Sequence, residues 1–250
     1  MTKPFASEYP SLSPKERIIV ALDVPTAEEA REIVRELRGE VGAFKIGSQV
    51  FTAAGSSFVK ELTDSGLKIF LDLKFHDIPN TVANAAIEAA RLGVWMLNVH
   101  TLGGSEMMKR TVDEVRLVCE KEGLVRPLII GVTILTSSTQ SVLDEIGITC
   151  GVQEQVVKLA KLAADCGLDG VVASPQEIAA VREAMTKPDF LIVTPGIRQF
   201  ATKDDQKRVK TFTEAIKDGA DFAVIGRPII QANDRLEAVR RIIGETITTH

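Results

Sequence analysis

Eight apolar runs, each followed by a helix-forming stretch, recur along this 250-residue chain. The runs cover residues 18–23, 43–47, 68–74, 95–101, 127–135, 170–174, 190–195 and 222–226. Apolar spacing and capping signals predict helices over 27–37, 57–63, 79–90, 104–121, 152–166, from 175, over 213–218 and over 229–243. Pro79 suits a first helical turn, and Gly244 suits a stop. Such regular alternation predicts a parallel sheet with helices outside it. Eight units in this length predict one α/β domain, a (β/α)₈ (TIM) barrel over residues 1–250, with 1–15 as a polar extension. The alternative is an open doubly wound sheet. Against it, the first strand–helix turn, Asp23-Val24-Pro25, has no glycine fingerprint for a dinucleotide.

The third run departs from a plain core strand. Phe70-Leu71-Asp72-Leu73-Lys74-Phe75-His76-Asp77 sets three charged groups within six residues. Strand side chains alternate faces, so Asp72 and Lys74 point one way and Ile69, Leu71 and Leu73 the other. Unpaired charge inside a core is costly, so packing alone does not account for this cluster. Barrel active sites lie at the C-terminal strand ends, and the polar residues fall there. Asp23, Lys45, Asp72 with Lys74, Asn98 with His100, Thr136, Arg198 and Gly226-Arg227 end or follow successive strands. The loops after strands seven and eight hold a phosphate in many barrels. Here they read Thr194-Pro-Gly-Ile-Arg198 and Ile225-Gly-Arg-Pro228. Glycine lets backbone N–H groups approach an anion, and arginine adds a two-pronged donor.

Composition narrows the partners. A net charge of −4 without a basic block predicts no nucleic-acid partner. No apolar run reaches the length of a membrane span, and Met1–Pro14 has no apolar segment of a secretory signal. The three cysteines are widely spaced and form no CxxC, which predicts reduced thiols and a cytoplasmic location. Histidine at 76, 100 and 250 has no metal-ligand spacing, so no metal is expected.

The motif Asp72-Leu-Lys74-Phe-His-Asp77-Ile-Pro-Asn-Thr81 resembles the signature of the orotidine 5′-phosphate decarboxylase family, in its bacterial form. Ala21-Leu-Asp23, Phe44-Lys-Ile-Gly47, Leu135-Thr-Ser137, Thr194–Arg198, Asp204-Asp-Gln206 and Ile225-Gly-Arg227 resemble it too, in order. The resemblance implies a barrel of the ribulose-phosphate-binding type. It implies removal of CO₂ from C6 of orotidine 5′-monophosphate, giving UMP, without metal or organic cofactor. Lys74 is implied as the ammonium that stabilises and protonates the C6 carbanion, and Asp72 as the carboxylate facing the substrate's own. Lys45 and Asp77 complete an alternating array. Asp23 and Lys45 are implied to bind ribose, and Thr136 the pyrimidine neighbourhood. Arg198, Gln206, Gly226 and Arg227 are implied to bind phosphate, with 198–210 as a lid. Ile78 joins the substrate-binding set. Asp77 and Thr81 are implied to reach the partner's site in a homodimer with shared active sites.

Two rivals share the scaffold. Magnesium-dependent sugar-phosphate decarboxylases and aldolases resemble the same Asp-x-Lys-x-x-Asp pattern but place a metal-binding Glu on the second strand, where this chain has Lys45. A non-catalytic nucleotide-binding barrel is the other. Among single residues, Asp23 has the character of a helix cap as well as of a site residue. His76 is expected to make a structural hydrogen bond, His100 to be a satisfied core residue, and Trp95 and Met107-Met108 to pack.

Overall fold

The structure, a computed structural model, describes residues 12–187, 189–197 and 210–244. Eight parallel strands close into a barrel in sequence order, β1 through β8, with β1 pairing both β2 and β8. They are β1 Ile18–Ala21, β2 Ala43–Gly47, β3 Ile69–Phe75, β4 Met96–His100, β5 Leu128–Val132, β6 Gly170–Val172, β7 Leu191–Thr194 and β8 Phe222–Ile225. This is the (β/α)₈ barrel that the alternation predicts.

Period-two alternation sorts each strand into two apolar layers. Ile19, Ala21, Ala43, Phe70, Met96, Ile130, Val193 and Val224 fill the barrel interior. Their neighbours Ile18, Val20, Phe44, Ile46, Ile69, Leu71, Leu97 and Ile129 pack outward against the helices. Trp95 closes one end of the interior, edge-on to Phe222 at 5.2 Å between ring centroids. Met107 and Met108 are fully buried in the outer layer, as expected.

The helices are α1 Ala27–Leu37, α2 Ser48–Asp64, α3 Pro79–Arg91, α4 Gly104–Glu122, α5 Gln140–Glu145, α6 Val152–Asp165, α7 Ile178–Ala184, α8 Phe212–Lys217, α9 Arg227–Ile230 and α10 Arg235–Ile243. Two depart from the sequence reading. Helix α2 starts at Ser48 instead of 57 and breaks at Gly55, where φ is 72°. Its first turns are rich in weak helix formers, so periodicity missed them. The last predicted helix is split, because Asp234 accepts a hydrogen bond from Glu237 N and restarts it as α10. Gly244 ends α10 in the left-handed region. The segment between β5 and α6 contains the short α5.

Candidate active site

The C-terminal mouth of the barrel opens into a cavity of ≈ 900 Å³. Asp23, Lys45, Asp72, Lys74, Thr136, Gly226 and Arg227 all line it. Strand alternation accounts for three of them. Lys45 lies two residues after Ala43, Asp72 two after Phe70, and Asp23 two after Ala21, so all inherit the inward direction of the interior layer.

Four of these groups, Asp23, Lys45, Asp72 and Lys74, form a continuous charge array. Lys45 Nζ is 3.1 Å from Asp23 Oδ1 and 3.1 Å from Asp72 Oδ2. The other oxygen of Asp72 is 2.7 Å from Lys74 Nζ. Lys45 and Asp72 are buried, at 7% and 8% exposure. Burial alone pushes the Asp72 carboxyl up. The ammonium groups of Lys45 and Lys74, with hydrogen bonds from Lys74 and Asn98, outweigh it and hold Asp72 below the usual carboxylate range. Asp72 is therefore ionised at neutral pH. Its stabilisation of the fold is fully present above the unfolded value and is lost only as pH falls toward the lower folded value. Gly47 leaves room for the array. A Cβ there would sit 3.0 Å from Lys45 Nζ and 3.3 Å from Asp23 Oδ1. Asp23 does not cap α1. Thr26 does, accepting a hydrogen bond from Glu29 N at 3.2 Å.

Lys74 reaches the cavity by an irregular route. It is the one non-glycine residue with positive φ, at 53°, among the described residues. The β3–β4 ladder slips at the same place, since Leu71 pairs Leu97 but Phe75 pairs Val99. Four residues of β3 thus span two of β4, a bulge of the kind that re-aims side chains beside active sites. A left-handed non-glycine residue costs about 1–3 kcal/mol and persists only where its surroundings over-determine it. Asn98, fully buried on β4, accepts a hydrogen bond from Lys74 N at 2.8 Å and donates to Asp72 Oδ1 at 2.7 Å. Sequence reading put Asn98 at a strand end but assigned it no contact. Its signal was a polar side chain at an inward position of an apolar strand. Ser48 and Gln231 also line the cavity and carried no such signal.

The structure does not bring every expected residue to this cavity. Asp77, Ile78 and Thr81 are exposed and lie outside its lining, with Ile78 at 66% exposure. Asp77 Oδ1 accepts from Ile78 N at 2.6 Å, at the entry to α3. Arg198, Gln206 and the proposed lid up to residue 209 lie outside the described residues. No group of three or more His, Cys, Asp or Glu side chains arranged to hold a metal occurs among the described residues.

His100 is not the satisfied core residue expected. Its Nδ1 is buried with no hydrogen-bond partner among the described residues. The ring lies 5.5 Å from that of His76, which makes no structural hydrogen bond among the described residues. Burial, His76 and Lys74 together push the His100 imidazole below its ordinary value. The folded state then binds fewer protons than the unfolded state just below pH 6.5, so stability falls as pH drops through that value. His100→Gln is expected to shrink the fall in Tm between pH 7.5 and pH 5.5. An unchanged fall contradicts this.

Comparison with known proteins places the chain in a family. Residues 16–242 match the family described as Orotidine 5′-phosphate decarboxylase / HUMPS family. The chain is 52% identical over 232 residues to the orotidine 5′-phosphate decarboxylase of Syntrophotalea carbinolica, covering 92% of this chain and 95% of that one. It is 52% identical to the Geobacter sulfurreducens enzyme of the same name, covering 92% and 96%. The crystal structure of orotidine 5′-phosphate decarboxylase from Lactobacillus acidophilus superposes with a TM-score of 0.79 at 41% identity, covering 91% of this chain and 97% of that one. With the match running through every strand that builds the cavity, the chain belongs to the orotidine 5′-phosphate decarboxylase / HUMPS family.

Proposed function

We propose that this protein decarboxylates orotidine 5′-monophosphate to UMP and CO₂, the last step of de novo UMP synthesis. The observation that carries the reading is the Lys45–Asp72–Lys74 array, joined at 3.1 and 2.7 Å on the barrel mouth of a chain in this family.

The chemistry needs such an array. Breaking the bond from C6 to the carboxylate leaves an electron pair in the ring plane, conjugated with no electron sink. A fixed ammonium beside C6 stabilises that pair and then donates a proton to it. Lys74 supplies the ammonium, held charged and aimed by Asp72. The substrate carboxylate, brought near Asp72, is repelled, and departure of CO₂ relieves the repulsion. Two like charges about 4 Å apart at an effective dielectric of about 20 interact by about 4 kcal/mol. That helps but is a small share of a barrier this high. Lys74, once neutral, regains its proton from solvent.

Asp23 and Lys45 bind the ribose hydroxyls, Thr136 lies against the pyrimidine, and Gly226 and Arg227 hold the phosphate together with Arg198 and Gln206. Phosphate binding remote from C6 supplies binding energy that is used at the reacting centre. No cofactor or metal takes part. The ammonium of Lys45, beside Asp72, repels the Mg²⁺ on which the sugar-phosphate rival depends. The working unit is a homodimer with shared sites. Exposure of Asp77, Ile78 and Thr81 away from their own cavity supports their reaching the partner's. The 250 residues act as one barrel domain, in the cytoplasm, where the free thiols of Cys119, Cys150 and Cys166 stay reduced.

Incubation with orotidine 5′-monophosphate tests the reading. UMP and CO₂ are expected in equal amounts. UMP binding without CO₂ release makes the chain a nucleotide-binding barrel instead.

A further inference from the structure

We propose that Asn98 is a positioning residue for decarboxylation, a side-chain clamp that holds Lys74 in its left-handed conformation and fixes the Asp72 carboxylate against it. The proposal rests on the decarboxylase reading for its kinetic consequence and on geometry alone for its structural one.

The β3–β4 ladder is interrupted between Leu71 and Phe75, and Lys74 falls inside that gap. Asn98 Oδ1 accepts from the Lys74 N–H at 2.8 Å. The same amide gives Nδ2–H to Asp72 Oδ1 at 2.7 Å, the oxygen that also meets Lys74 Nζ at 2.7 Å. These partners fix the orientation of the amide. Reversed, its oxygen would face a carboxylate oxygen and its NH₂ would face an N–H. Asn98 is therefore bonded to both ends of one catalytic unit, the backbone of Lys74 and the carboxylate that aims its ammonium. It lines the cavity beneath the charge array with no exposed surface, and its amide oxygen and nitrogen are both engaged, by Lys74 N–H and Asp72 Oδ1, so it is placed to act through Lys74 and Asp72. Aspartate at this position matches asparagine in shape but turns the donor toward Asp72 into a second negative oxygen. Alanine removes both bonds.

Two variants and one measurement on the unmodified protein test this. Asn98→Ala is expected to lower kcat about 100-fold, the penalty of a displacement near 1 Å at a reacting group, with KM and UMP affinity within about fivefold. Asn98→Asp keeps the acceptor for Lys74 N–H and is expected to lose kcat to a similar extent. A merely structural role would weaken UMP binding along with turnover. Circular dichroism and thermal melts identify the variants that fold. In the unmodified chain the Lys74 amide is expected to exchange its hydrogen at least about 100-fold more slowly than an unstructured amide. A folded variant with kcat within threefold of the parent overturns the proposal, as does a Lys74 amide exchanging at the unstructured rate, or a parallel loss of kcat and UMP affinity. If the parent releases no CO₂, the decarboxylase reading fails, while amide exchange still decides whether the clamp exists.

Discussion

Lys74→Ala is expected to lower kcat for CO₂ release by at least about 10⁴-fold, because one substitution removes both the charge that stabilises the carbanion and the proton that quenches it. UMP should still bind measurably, since Asp23, Lys45, Gly226 and Arg227 line the same cavity and remain. The loss should therefore appear in kcat far more than in affinity. The variant also leaves Asp72 with one ammonium, Lys45, at 3.1 Å, and with the Asn98 amide at 2.7 Å. The carboxylate stays paired, so the fold should survive. Isothermal titration with UMP beside single-turnover CO₂ release measures both halves. Turnover within tenfold of the parent contradicts the role given to Lys74.

Mixing two nearly inactive proteins is expected to restore activity. Asp72→Ala damages a subunit's own cavity, where Asp72 is the carboxylate between two lysines. Asp77→Ala removes a residue exposed outside that cavity. If Asp77 serves the partner's site, a heterodimer of the two variants has one doubly damaged site and one intact site. With random exchange, half of the dimers are mixed, so about a quarter of the parental activity should return in a two-fold symmetric assembly. Light scattering establishes the dimer, and differently tagged subunits establish exchange. No recovery after proven exchange contradicts shared sites.

The barrel was legible because each strand repeats one physical rule. Apolar residues at alternate positions face two different layers, as Phe70 and Leu71 do, and that pattern is written in the sequence. The same rule carried Lys45 and Asp72 to the mouth. For Lys74 it gave the right destination by an incomplete route. Strict alternation predicted an inward side chain, but the structure delivers it through a bulge and a left-handed residue held by Asn98. A one-dimensional pattern has no term for a slipped ladder, so the Asn98 contacts were hidden. Helix α2 was cut short in reading because its opening Ser-Gln-Val-Phe-Thr-Ala-Ala-Gly is anchored by packing, with Val50 fully buried, more than by propensity. His100 misled because a histidine near a strand end is ordinarily hydrogen-bonded, whereas here it is pressed against His76. The role proposed for the exposed Asp77, Ile78 and Thr81 comes only from the family resemblance, since no single-chain pattern marks a residue that would reach a neighbour's site.

Fixed charges alone, without a metal, are expected to decarboxylate the nucleotide. The most direct test is the initial rate of UMP formation from orotidine 5′-monophosphate after exhaustive dialysis against EDTA, measured in EDTA and again after adding Mg²⁺. The charge array Lys45–Asp72–Lys74 predicts the same rate in all three conditions, abolished by Lys74→Ala. A rate that collapses in EDTA and returns with Mg²⁺ would show that a metal, and not the lysine–aspartate array alone, drives the reaction.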